Sequence, residues 1–433
     1  MSPMMVAAIL GSMLLLLGLG VWIGLALMAV ALVSMLLYST RMPGDAMATT
    51  IFGSLTSWTL TSLPLFIWMG EILFRSKISE YMFRGLAPWM APLPGRLMQV
   101  NVVGSAIFAA ISGSSAATCA TIGKMTIPEL EKRGYPAEMV IGSLAGAGTL
   151  GLLIPPSIIM IVYGVAADVS INKLFIAGVI PGLLLAAAFM IYVGGWSLLH
   201  ADRIPVNDLR VNFAGKLRAS ADLIPTVLLI GAVLGSIYAG FATATESAGI
   251  GVLGALLISI VQGGFTWRTF AHTVSGAMKT TTMIMLILAG SSFLTIAMGF
   301  TGIPRALTEW IGHLGLSQGQ LLIALTLLFI VLGSLLDGIS MVLLTTAVLL
   351  PVVTAAGFDL LWFGIYIVIV VEMAQVTPPV GFNLFVLQSL TRHDIGFVTR
   401  VAFPFFLMLL LFVAAIYLFP QIVTWLPDQM AHG

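Results

Sequence analysis

Apolar runs long enough to cross a bilayer, about 20 residues each, recur along the chain and are separated by short polar loops. They predict helices near 4–20, 21–38, 50–74, 138–163 and 174–199, then near 223–240, 245–263, 280–300, 358–388 and 400–425. Two further apolar regions, near 97–130 and 320–355, are interrupted by small and polar residues. The interruptions are SGSSAAT, from Ser112 to Thr118, and GSLLDGIS, from Gly333 to Ser340. Each arm beside an interruption is short for a full span, which predicts re-entrant hairpins that enter and leave on one face.

The halves of the chain share their punctuation. Pro128, Gly134, Tyr135, Pro155 and Pro156 recur 223 positions later as Pro351, Gly357, Phe358, Pro378 and Pro379. Paired double prolines inside apolar sequence predict two helices broken at matching places. Such breaks are tolerated at membrane depth only where protein or a cavity satisfies the freed backbone groups, so they point to a transport site. Outside this region the repeat is weak: Gly20 to Gly24 aligns with Thr243 to Ser247 without identity. Ser76 to Gly95 mixes Arg84, Trp89, Pro92 and Pro94 with apolar residues. It reads either as an amphipathic interfacial segment or as an ordinary basic loop with aromatic anchors.

Composition agrees with the pattern. Of 433 residues, 59% are hydrophobic and 8% are charged, against roughly 25% charged in a soluble protein. The fold class is therefore an all-α polytopic membrane protein with no room for a folded soluble domain. The segment from Met4 to Leu37 lacks the basic n-region of a cleaved signal peptide and reads as retained helix. The single Cys119 excludes an intrachain disulfide and a thiolate cluster, and a net charge of +1 gives no sign of nucleic-acid binding. With both termini periplasmic, the positive-inside rule places all basic residues inside, Lys279 among them, except Arg41, Lys173 and Arg305. The two halves then run in opposite orientations, an inverted repeat.

Several groups are candidates for chemistry. The hydroxyls of SGSSAAT suit a hard cation, and a helix N-terminus beside them suits an anion; alternatively they bond to their own helix. In GTLGLLIPPS, Gly148 to Ser157, the glycines Gly142, Gly146, Gly148 and Gly151 with Pro155-Pro156 argue against an uninterrupted helix. Unwound backbone facing a hydroxyl-rich tip makes a cation site. In the second half, Asp337 and Glu372 are the ionisable residues hardest to place in lipid. Each is either functional or a structural carboxyl that caps a helix or pairs with a hydroxyl; function is favoured for Asp337 and left open for Glu372. Glu246 reads as a helix N-terminal carboxylate. The five histidines lie in loops or near ends, with no spacing that suggests a metal site.

At SGSSAAT, LLIPPS, TATES and EMAQVTPPVGFNL the chain resembles the large membrane subunit, DctM type, of the tripartite ATP-independent periplasmic (TRAP) transporters. The resemblance covers essentially the full length. It implies an elevator-type secondary transporter of the ion transporter superfamily, with two re-entrant hairpins and two broken helices in a mobile domain. Such a protein is driven by sodium, with two or more ions expected. A periplasmic substrate-binding protein would deliver a small organic acid, and a separate small membrane subunit of about four helices would complete the scaffold. The location implied is the bacterial inner membrane.

Carried over by motif, Ser112, Gly113, Ser114, Ser115 and Thr118, with Gly148 and Pro155, match the first sodium site. Gly333, Asp337, Gly338, Thr377, Pro378 and Gly381 match the second, and Ser112, Ser157, Asp337 and Asn383 are candidates to reach substrate. Scaffold is expected at 1–96 and 223–312, transport segments at 97–199 and 313–433, and a cytoplasmic linker at 200–222. Ala244 stands where the family commonly has proline, and the stretch from Gly20 to Leu27 also lacks a common one. No Arg or Lys occurs from Leu321 to Leu390, so helix N-termini and hydroxyls would have to hold an acid, or the substrate is zwitterionic. Two alternatives remain: a stand-alone sodium or proton symporter, and an intramembrane aspartyl protease built on Asp337.

Overall fold

A computed structural model describes residues 11–13, 15–205, 211–334, 336–378 and 381–431. Part of the first predicted helix, together with Arg210, Pro379 and His432, lies outside them. Among the described residues six helices are long and apolar enough to span a membrane, or up to eight if each of two bent pairs is one span. This is the polytopic helical fold expected from the pattern.

Both hairpins form. The first pairs Gln99–Ser112 with Ser115–Lys132, and the second pairs Gln318–Gly333 with Gly338–Ala355. Both broken helices form too. Ala137–Gly148 and Leu150–Leu153 lead to a break before Ile158–Ala166, with a bend of 42°. Leu360–Gln375 stops before Phe382–Leu390.

The repeat runs further than its sequence suggested. Helices begin 223 residues apart at Ser115 and Gly338, and at Ala137 and Leu360; they end 223 residues apart at Tyr38 and Val261, and at Met90 and His313. Gly134 and Gly357 turn the chain with matching φ angles of 78° and 80°, a region glycine enters without strain. Packing repeats as well: Trp267–Thr301 lies along Ile23–Tyr38, and its counterpart Ser62–Phe74 lies along Ala244–Val261. Sequence similarity has faded where these apolar faces need only suitable volume.

Several expectations need correction. The single helix expected near 50–74 is two, Pro43–Leu55 and Ser62–Phe74, joined by a short 3₁₀ turn and bent by 56°. Hydropathy averages across Thr56 and Ser57, where the bend occurs. Thr56 Oγ1 donates to the Phe52 carbonyl at 2.8 Å, so the polar side chain is satisfied inside an apolar stretch. The helix expected near 280–300 runs from Trp267 to Thr301, which places Lys279 within it rather than at its end. Gly142 and Gly146 do not interrupt their helix. A Cβ on Gly142 would lie 2.5 Å from the Val401 carbonyl oxygen, and one on Gly146 2.2 Å from the Phe405 ring. These glycines therefore let Ile395–Leu418 approach, as small residues do between membrane helices.

The segment from Ser76 to Gly95 contains the helix Ile78–Met90. Its Trp89 indole N–H donates to Ser220 Oγ at 2.8 Å, and Arg84 pairs with Asp222 at 3.1 Å. It is thus docked on the linker as well as on the first hairpin. Trp89→Ala should loosen this docking, raising limited-proteolysis rates in the linker severalfold while changing thermal stability by about 1 kcal/mol.

Candidate functional site

The first hairpin turns at Gly113, where φ is 61° and the helix Gln99–Ser112 ends. Ser114 then goes extended, and its Oγ accepts from the Ala117 N–H at 3.4 Å, capping Ser115–Lys132. Ser112 and Thr118 share a hydroxyl–hydroxyl bond of 2.7 Å across the turn. The tip is pressed into the break of the first broken helix. The Ile158 N–H donates to the Gly113 carbonyl at 3.3 Å. A Cβ on Gly113 would lie 2.8 Å from the Pro156 carbonyl oxygen, and one on Gly151 would lie 2.6 Å from the Ser114 carbonyl oxygen. Ser157 is fully buried and caps Ile158–Ala166. The fold therefore brings Ser112, Gly113, Ser114, Ser115, Thr118 and Ser157 together. Gly148, against Cys119, and Pro155, against Gly178, flank this cluster.

The second hairpin makes the corresponding contact. A Cβ on Gly333 would lie 2.1 Å from the Ala374 Cβ, and one on Gly338 would lie 2.5 Å from Val371 and 3.3 Å from the Gln375 amide nitrogen. A Cβ on Gly381 would lie 2.8 Å from the Thr377 carbonyl oxygen. Thr377 donates its hydroxyl to the Met373 carbonyl at 2.6 Å, and Pro378 is exposed. Asn383 is fully buried, and among the described residues neither of its side-chain polar atoms has a hydrogen-bond partner. A buried amide without partners is costly.

Asp337 has a definite local job. Its carboxylate accepts from the N–H groups of Ile339 at 3.1 Å and Ser340 at 3.2 Å, and from the Ser340 hydroxyl. It caps Gly338–Ala355 just as Ser114, 223 residues earlier, caps the equivalent helix. The helix N-terminus of the second hairpin is thereby already occupied by a carboxylate. Asp337→Ala should cost about 1 kcal/mol of stability, while Asp337→Asn retains a capping side chain; thermal unfolding of the two variants checks this.

The residue that joins the halves is Glu372, which is 1% exposed. Its Oε1 accepts from the Ser115 hydroxyl and from the Leu152 N–H at 3.0 Å, while Oε2 is buried with no hydrogen bond among the described residues. One carboxyl thus ties the second broken helix to the first hairpin and the first broken helix. The crossing is reciprocal, because Ser115–Lys132 packs on Phe382–Leu390 and Gly338–Ala355 packs on Ile158–Ala166. The available sequence signal was a lone acid in the run IVIVVEMAQ, which left its role open. Glu246, by contrast, closes a capping box with Thr243, the structural reading given to it.

The family described as "Tripartite ATP-independent periplasmic transporter, DctM component" matches residues 10–422. The C4-dicarboxylate TRAP transporter large permease DctM of Pseudomonas aeruginosa is 30% identical, over 89% of this chain and 90% of that protein. Its Rhodobacter capsulatus namesake is 31% identical, over 90% and 92% respectively. The Alcanivorax borkumensis YdaH transporter shares the fold, with a TM-score of 0.66 at 13% identity, over 96% of this chain and 98% of that one. The relatives are permeases, which overturns the protease reading of Asp337. The chain belongs to the DctM family of TRAP transporters, as a multi-pass large permease subunit and not an enzyme.

Proposed function

We propose that the protein imports a small organic acid, or a zwitterion, by sodium-coupled secondary transport across the bacterial inner membrane, with an elevator movement of the two hairpins and broken helices against the remaining helices. The observation that carries this reading is how the halves interlock: each hairpin tip sits against the broken helix of its own half, its second arm packs on the broken helix of the other half, and Glu372 bonds the two halves together. Hydroxyls and backbone carbonyls around Gly113 and Pro156 supply hard oxygen ligands for sodium. The second ion would use the backbone around Gly333, Gly338, Thr377, Pro378 and Gly381, with Asp337 nearby. Relatives named for C4-dicarboxylates and, in Vibrio cholerae, for sialic acid support an organic-acid substrate. They also support a periplasmic binding protein and a small membrane subunit as partners. The inverted topology, with both termini periplasmic, follows from the distribution of basic residues.

Ion and substrate must favour each other's binding for transport to be coupled. Sodium that binds the folded protein at 100 times its dissociation constant would stabilise it by about 2.7 kcal/mol. Thermal unfolding in sodium chloride against choline chloride at equal ionic strength tests this. A sodium-specific rise that is weakened by Thr118→Ala is expected; equal unfolding in both salts would remove sodium from the mechanism.

A further inference from the structure

A cavity of about 1020 Å³ opens between the second hairpin and the helices Ile23–Tyr38 and Trp267–Thr301. Its wall is almost wholly apolar, including Val21, Trp22, Met283 and Leu286, and among the described residues it carries two charged groups, Asp337 and Lys279. The two differ in what they are free to do. The Asp337 carboxylate is held by the Ile339 and Ser340 N–H groups and by the Ser340 hydroxyl, at a helix N-terminus that itself favours negative charge. Lys279 is in none of the ion pairs among the described residues. A cation without a partner in a cavity with low-dielectric walls concentrates anions. An ammonium is a point charge that suits a carboxylate arriving in varied orientations.

We propose that Lys279 binds a carboxylate of the substrate in this cavity and so selects for anionic cargo. The inference rests on the acid-import reading and names the group that reading lacked, since neither hairpin tip offers a basic side chain. Lys279 projects from a helix packed on Ile23–Tyr38 and Ser62–Phe74, whereas Asp337 belongs to the second hairpin. A carboxylate on Lys279 would therefore lie between the fixed and the moving parts.

The test uses the full-length protein with Lys279→Cys. The native Cys119 is buried, so wild type serves as the unreactive control. K279C should raise the KM for the acid at least tenfold with a smaller change in kcat. Aminoethyl methanethiosulfonate, which restores an ammonium near the lost one, should recover most of the wild-type KM. The sulfonatoethyl reagent, of opposite charge, should not. Labelling of the K279C thiol needs no transport: succinate or N-acetylneuraminate should slow it severalfold, and succinamide should not. A wild-type KM in K279C, equal effects of both reagents, or labelling indifferent to either acid would overturn the assignment. Failure of wild type to accumulate any acid would instead sink the import reading, while the protection assay would still decide on Lys279.

Discussion

Replacing Glu372 by alanine is expected to abolish uptake and to destabilise the folded protein by roughly 2–6 kcal/mol. The figure follows from leaving two buried donors, the Ser115 hydroxyl and the Leu152 N–H, without an acceptor, at about 1–3 kcal/mol each. The loss of uptake follows from what these bonds join: without them the first hairpin tip and both broken helices are no longer fixed relative to one another. Glu372→Gln should recover much of the stability, because an amide oxygen still accepts both hydrogen bonds. Thermal unfolding and uptake measured on the same preparations check the pair. An alanine variant as stable and as active as wild type would show that the tie contributes nothing.

Gly151→Val should have the second largest effect. Even a Cβ at this position would lie 2.6 Å from the Ser114 carbonyl oxygen and 2.7 Å from the Ser115 Cα. These are backbone atoms, which cannot swing aside as a side-chain tip can. Either the hairpin tip lifts from the broken helix, or the helix shifts and disturbs the Leu152 N–H bond to Glu372. Overpacking of this kind costs about 1–3 kcal/mol, and the proposed cation ligands around Ser112 and Gly113 would separate. Sodium-dependent stabilisation should therefore fall more than overall stability, with uptake near background. Gly142→Ala, on the face toward Ile395–Leu418, supplies the contrast: it should destabilise through packing while leaving the sodium response of the remaining folded protein intact.

The hairpins and the broken helices were legible because their signals are local. A polar cluster or a double proline inside an apolar run has few ways to be satisfied in a membrane, and Ser112–Thr118 and Pro155-Pro156 are of this kind. The first broken helix is interrupted as expected, but Gly142 and Gly146 lie inside it, because flexibility and close packing have the same sequence signature. Only the approach of Val401 and Phe405 distinguishes them. Glu372 was undecided for a different reason: its partners Ser115 and Leu152 lie 257 and 220 positions away, and nothing in IVIVVEMAQ identifies them. Asp337 was legible in both of its readings. A charge in an apolar region pointed to function or to a helix cap, and its hydrogen bonds are those of a cap, shared in position by Ser114. Lys279 was hidden by a boundary, since hydropathy began its helix too late.

Uptake into proteoliposomes decides whether import is coupled to sodium and to the binding protein. The vesicles would contain this chain with its small membrane subunit, a partner binding protein loaded with candidate acids would be added outside, and the sodium gradient would be set inward. Accumulation that requires both the sodium gradient and the binding protein is the predicted result. Accumulation that proceeds at the same rate without sodium, or without the binding protein, would contradict the account; the latter would leave a stand-alone symporter built on the same fold.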